Sequence, residues 1–389
     1  MENGCMKAFD FSLPTKIVYG NGTVARVAEE LKAAGGEKPL IVTDPGICQA
    51  GIVDKVTAVL DKAGISYRIF DRVEANPKDV NAEEGARVAR EAGTDCLLAV
   101  GGGSPIDCAK AIGVLLAHDA EKIKPYEGKT AATLPNPLLI TVPTTAGTGS
   151  ELTFSSVITD TENHYKMTVK SPYTAANVAI CDPDLTLTVP SAVTAATGVD
   201  ALTHAIEGFT ANVSEPIGDA AALYAIELIY HNLVRAVERG DDREARSAML
   251  MGSMLGGISF SHSDVAGVHC IAEALGSLYD LPHGTCNAIF LPYVMEYNMD
   301  YCRERYARIA SAMGYHWNTV EEGAKIAVDK VKELTLAVKL PTFASLNVDP
   351  KDFAKLAKMA CQNGSNASNP RPMTEEDYLE VLNHVYAVR

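Results

Sequence analysis

Four residues in this chain have the types and spacing of a metal site: Asp200 and His204 in VDALTHAIE, His269 in GVHCIAEALG, and His283 in LPHG. Asp200 and His204 are four apart in a stretch with no helix breaker, so both side chains leave one face of a helix. His269 opens a second helical pattern, Ile271 to Leu278. His283 lies between Pro282 and Gly284, and that setting predicts a loop able to aim one ring inward. If they converge, three imidazoles and a carboxylate bind a divalent cation. Mixed nitrogen and oxygen donors suit Fe(II), Zn(II) or Mn(II) better than Mg or Ca. Any one of these histidines alone reads as a core residue on a helix face. The DAxxH pair, His269 and PHG together read as a ligand set.

Two further segments have the composition of phosphate-binding turns. Gly101-Gly102-Gly103-Ser104 follows an apolar strand and precedes a helix. Glycines let a phosphate approach the backbone, and a helix N-terminus offers free N–H groups and a positive dipole. Asp107, in the first turn, is placed to cap that helix. Thr144-Thr145-Ala146-Gly147-Thr148-Gly149-Ser150-Glu151 also follows a strand end and adds hydroxyls for phosphate and ribose contacts. Either could be a plain tight turn. Two of them at carboxyl ends of strands in one parallel sheet mark a dinucleotide crevice. Asp44 ends another strand, where a carboxylate binds the adenosine ribose and repels a 2′-phosphate; its alternative is a helix N-cap.

The elements that must hold these groups change character along the chain. Before residue 190, strand patterns (39–43, 67–70, 96–100, 138–142, 178–181) alternate with helical ones (52–63, 82–92, 107–116). That order predicts a parallel sheet with helices on its faces. After Pro190 the period-2 signal fades and long helices are expected over 191–210, 219–239, 242–260, 320–337, 351–362 and 374–388. The chain therefore divides into an α/β dinucleotide-binding domain, residues 1–190, with a Rossmann-like parallel sheet, and an all-α metal-binding domain, residues 191–389.

With 389 residues and a formal charge of −15, the chain is poorly suited to nucleic-acid phosphates or an anionic membrane surface. No stretch has the apolar length of a membrane span, and the opening MENGCMKAFDFSLPTKIVYG has no signal-peptide pattern. Nine cysteines without CxxC spacing read as reduced packing residues in a cytoplasmic protein.

The motifs GGGSPIDCAK, TVPTTAGTGSE, DPDLTLTVP, GVDALTHAIE, GVHCIAEALG and DLPHGTCNAIFLPYVMEYN run in order through almost the whole chain. At these residues the sequence resembles the iron-containing (group III) alcohol dehydrogenases. It looks like the branch that includes lactaldehyde:propanediol oxidoreductase and 1,3-propanediol dehydrogenase. The resemblance implies a two-domain plan shared with dehydroquinate synthase, a homodimer or higher homo-oligomer, and NAD(P) in the cleft; Asp44 at its strand end favours NAD over NADP. By motif match it implies Fe(II), or Zn(II) on the same ligands, at Asp200, His204, His269 and His283. It assigns cofactor contacts to Asp44, Asn76, Gly102, Gly103, Ser104, Thr144, Thr145, Thr153, Lys166 and Leu185. Asn76 and Lys166 come from the resemblance alone; read unaided, both are surface residues.

The implied reaction is hydride transfer between a nicotinamide and a small alcohol or aldehyde whose oxygen is polarised by the metal. His269 and Glu273 are the candidate catalytic groups. Two positions depart from the family: Glu273 stands where many relatives have a histidine, and His262 where they tend to have asparagine. A sugar-phosphate cyclase of the same architecture would surround the site with Lys and Arg. Here the neighbours in sequence, Ala201, Leu202, Ala205, Ile271, Ala274 and Leu275, are apolar, which favours a small neutral substrate. A non-catalytic protein that senses NAD is the other alternative.

Overall fold

A computed structural model describes residues 8–388. The expected sheet is present. Its strands are β1 (Lys16–Tyr19), β2 (Pro39–Val42), β3 (Arg68–Phe70), β4 (Cys96–Gly101), β5 (Leu138–Pro143) and, later in the chain, β8 (Val178–Cys181). All pair in parallel, in the order β1-β8-β5-β4-β2-β3. Strands β2 and β4 are buried at every position, as a sheet covered on both faces requires. The covering helices are α1 (Val27–Ala33), α2 (Pro45–Gln49), α3 (Ile52–Lys62), α4 (Asp79–Ala92) and α5 (Gly103–Ala117).

This strand order places the ligand crevice. The chain leaves β2 toward β3 on one side and leaves β4 toward β5 on the other. β2 and β4 are neighbours, so their connections diverge, and a crevice opens beyond their carboxyl ends. Asp44 follows β2 and Gly102 follows β4.

One strand pair escaped the sequence reading. β6 (Ser155–Asp160) and β7 (Tyr165–Lys170) form a separate antiparallel hairpin. Its buried positions are Ser156, Ile158, Asp160, Met167 and Val169; in β6 two of the three are polar and Val157 lies on the other face, so the apolar alternation that marks a half-buried strand is weak there.

From Ser191 onward, among the described residues, the regular elements are helical: α6 (Ser191–Thr210), α7 (Pro216–Glu238), α8 (Arg243–His262), α9 (Gly267–Tyr279), α10 (His283–Ala312), α11 (Val320–Ala337), α12 (Phe353–Gln362) and α13 (Glu375–Ala387). Helix α10, of 30 residues, was not expected. Pro292 interrupts its pattern, and its first half, buried almost throughout, shows no amphipathic stripe. His283 is therefore not a loop residue: it begins α10, with Pro282 at the N-cap. Asp107 is not a cap either. It lies in the second turn of α5, and its carboxylate accepts from Ser150 Oγ and Val157 N.

One large core fills the helical half, and two smaller ones cover the sheet faces. Leu152, Ala179, Cys181, Leu250 and Met254 join sheet and helices. The eight described cysteines are all free. No described helix is long and apolar enough to cross a membrane. The absence of a leader read from the first residues falls partly on 1–7, outside the described residues.

Candidate active site

Helix α6 presents Asp200 and His204 on one face, α9 brings His269 from its first turn, and α10 brings His283 from its first residue. One donor atom from each lies within 4.8 Å of all the others. Glycines set the approach of these helices. A Cβ on Gly284 would come within 2.6 Å of the Ala196 carbonyl oxygen, and one on Gly256 within 3.2 Å of the Ala201 carbonyl oxygen. The glycine in Pro-His-Gly thus serves close helix contact rather than a turn. Asp200, His204 and His269 are buried, while His283 keeps a quarter of its side chain exposed, which leaves the centre one open side.

The electrostatics favour a cation. Burial pushes the His204 pKa down to about 4 and that of His283 well below its ordinary value. Both rings are therefore neutral at pH 7, with lone pairs available. Nε2 of His204 and Nε2 of His269 face each other at 3.0 Å. The Nδ1 atoms of His204 and His283 are buried without a hydrogen-bond partner. Three imidazoles and a carboxylate that converge in this way, with neutral rings at His204 and His283 and ring nitrogens that face one another, fit a divalent metal held by nitrogen and oxygen.

Two residues that the sequence reading did not single out complete the centre. Glu207, one turn beyond His204 on α6, is buried and accepts from Ala266 N, Val268 N and His269 Nδ1 at 2.8, 2.7 and 2.5 Å. It caps the start of α9 and leaves His269 Nε2 turned toward the other candidate ligands. Burial alone would lower the His269 pKa; the Glu207 carboxylate outweighs it, and the net shift is upward. Asn287 lies four residues after His283 and is fully buried. Its Nδ2 is 2.6 Å from Asp200 Oδ1, 3.1 Å from His269 Nε2 and 3.2 Å from His283 Nε2. Helical spacing from a ligand, i+3 and i+4, was the available signal for both.

In the crevice, Gly102 is the N-cap of α5 with no side-chain cap, so the helix N–H groups are free for an anion. The two glycine turns touch: a Cβ on Gly102 would meet Thr145 Oγ1 at 2.9 Å, and one on Gly103 would meet Thr148 Cγ2 at 2.7 Å. Gly102, Gly103, Ser104, Thr145 and Asp44 all keep some exposure at this edge. Asp44 also caps α2 by accepting from Ile47 N at 3.0 Å, through one carboxylate oxygen. Thr144, Thr153 and Leu185 are buried, and the Thr153 hydroxyl contacts Lys110 Nζ at 2.8 Å.

Asn76 and Lys166 are half-buried and paired rather than free on the surface. Lys166 Nζ donates to Asn76 Oδ1 at 2.8 Å, and Asn76 Nδ2 donates to Asp280 Oδ1 at 2.8 Å, which ties the sheet half to the end of α9. Burial lowers the Lys166 pKa, opposed first by the charge of Glu273. Glu273 follows His269 by one turn, is half-buried, and accepts from Asn363 Nδ2 at 2.6 Å through Oε2. His262 lies elsewhere. It stacks on Phe11, with Nδ1 2.8 Å from Ile258 O and Nε2 2.7 Å from Ser12 O, and so fastens the N-terminal segment to α8. Ala201, Leu202, Ala205, Ile271, Ala274 and Leu275 are core residues rather than pocket walls, so they carry no information about the substrate.

A dinucleotide-type crevice and a candidate nitrogen–oxygen metal site in one molecule define a dinucleotide- and metal-dependent enzyme architecture. Comparison with known proteins gives the particular family. Residues 14–183 match the model described as iron-containing alcohol dehydrogenase, and residues 194–386 match the C-terminal model of the Fe-containing alcohol dehydrogenase family. The 1,3-propanediol dehydrogenase of Citrobacter freundii is 39% identical over 98% of this chain and 99% of its own. The choline dehydrogenase of Bacillus subtilis (strain 168) is 40% identical over 96% of this chain and 94% of its own. A crystal structure of a 1,3-propanediol oxidoreductase superposes with a TM-score of 0.94 at 39% identity, covering 97% of this chain and all of that one. The chain belongs to the iron-containing alcohol dehydrogenase family.

Proposed function

We propose that this protein is an NAD-linked, metal-dependent alcohol dehydrogenase that interconverts a small alcohol and its aldehyde. The convergence of Asp200, His204, His269 and His283 carries the reading. When bound, a divalent metal, Fe(II) first and Zn(II) second, supplies Lewis acidity toward the substrate oxygen, and NAD supplies the hydride acceptor or donor.

The chain's own groups do the rest. Glu207 and Asn287 orient the ligands. The free N-terminus of α5, with Gly102, Gly103 and Ser104, receives the pyrophosphate, and Thr144, Thr145, Thr153 and Leu185 shape the facing wall. Asp44 takes the adenosine ribose through the carboxylate oxygen that the helix cap leaves free. Asn76 and Lys166 close the crevice against α9. Glu273 is a polar group on the substrate side, with Oε2 held by Asn363 and Oε1 left for a hydroxyl or ammonium on the substrate. The reading includes a division near residue 190 into a cofactor-binding and a metal-binding part, a cytoplasmic location and a homodimer or higher homo-oligomer.

Reconstitution with Fe(II) under anaerobic conditions, followed by NADH-linked assay on a panel of short aldehydes and diols, tests this reading. Turnover should require the metal. His269→Ala should lose both metal and turnover while the far-UV CD spectrum is retained. Full turnover by metal-free protein would refute it.

A further inference from the structure

Lys110 is a lysine with no exposed surface, placed where neither the metal centre nor the crevice uses it. Its Nζ lies 2.7 Å from Ser150 O, 3.0 Å from Thr153 O and 2.8 Å from Ser155 O, and also contacts Ser150 Oγ at 3.2 Å and Thr153 Oγ1 at 2.8 Å. Its oxygen contacts all come from one short segment. Asp107, three residues earlier on α5, grips the same segment: its carboxylate accepts from Ser150 Oγ at 2.5 Å and Val157 N at 3.0 Å, and its carbonyl accepts from Ser156 Oγ at 2.7 Å.

Burying an ammonium group is costly, and a methionine of similar length would fill the space without that cost. The charge is kept where it fixes the exit of the 144–151 turn. Helix α5 begins at the other glycine turn, with Gly102 and Gly103 packed on Thr145 and Thr148. One rigid helix thus presents the first turn at its N-terminus and clamps the second through residues in its second and third turns.

We propose that Lys110, with Asp107, is a positioning residue for the dinucleotide: it holds the two turns at the spacing that lets both grip one pyrophosphate, without touching the cofactor. This rests on the cofactor reading above. It goes beyond that reading by assigning cofactor affinity to a group outside the crevice.

The test is NADH affinity by fluorescence titration of full-length, metal-loaded protein, with metal content and melting temperature measured on the same samples. In Lys110→Met, the Kd for NADH should rise about tenfold or more, while metal content stays at the wild-type level and kcat at saturating NADH stays within a few-fold. Ser150→Ala removes the hydroxyl shared by Lys110 and Asp107 but keeps the carbonyl contacts. It should raise Kd about threefold, and it serves where Lys110→Met does not fold. Unchanged Kd in a folded variant, or loss of metal in parallel with NADH, overturns the assignment. If wild-type protein binds no NADH, the cofactor reading itself fails, a result distinct from any behaviour of the variants.

Discussion

Glu207 Oε2 lies 2.5 Å from Nδ1 of His269, and the same carboxylate takes the Ala266 and Val268 N–H groups at the start of α9. One buried side chain on α6 thus fixes both the helix that carries His269, a proposed metal ligand, and the orientation of its ring. Glu207→Gln keeps the shape but weakens the pull on the imidazole N–H. Metal affinity, measured by chelator competition, should fall about 10-fold to 100-fold. Unaltered affinity would reduce Glu207 to a helix cap.

On the proposed reading, Asp44 sets cofactor preference. Wild type should favour NADH over NADPH, because a carboxylate facing a 2′-phosphate is a like-charge contact. Asp44→Gly should narrow or reverse the ratio of kcat/KM values. Glycine at an N-cap costs only about a few tenths of a kcal/mol, so a changed ratio would not be a folding effect. Equal use of both cofactors by wild type would leave Asp44 as the cap of α2 alone.

Glu273→Gln should lower kcat/KM and reorder the substrate panel, with diols and amino alcohols losing most and simple alcohols least. Metal content should stay the same, since Glu273 bonds to Asn363 and to none of the four ligands. Loss of metal with an unchanged order would place Glu273 in support of the centre instead.

Glu151 gives stability a pH dependence. Burial raises its pKa from 4.5 to about 7, and its Oε1 has no partner. The folded state then holds a proton that the unfolded chain releases above the ordinary value. This contribution is fully present below pH 4.5 and is lost as pH rises through about 7. Glu151→Gln should therefore gain on wild type across that window, by up to about 3 kcal/mol. Melting curves at a series of pH values test it; a difference that is constant or shrinks with rising pH would be the wrong sign.

Local periodicity made much of this protein legible in the sequence. Buried apolar runs ending in Asp44 and Gly101 marked β2 and β4, and the four-residue step from Asp200 to His204 put both on one helix face, because backbone geometry ties sequence spacing to direction. Tertiary structure decided what spacing cannot express. Asn287 and Glu207 acquire their roles only where α6, α9 and α10 pack, across separations of more than sixty residues in the case of Glu207 and His269. Gly284 reads as a turn residue, yet it serves the close approach of two helices. Lys166 and Asn76 read as surface until the hairpin folds over the end of α9. Burial and partnership are properties of packed surfaces, and a side chain's neighbours in space are fixed only when distant helices close on one another.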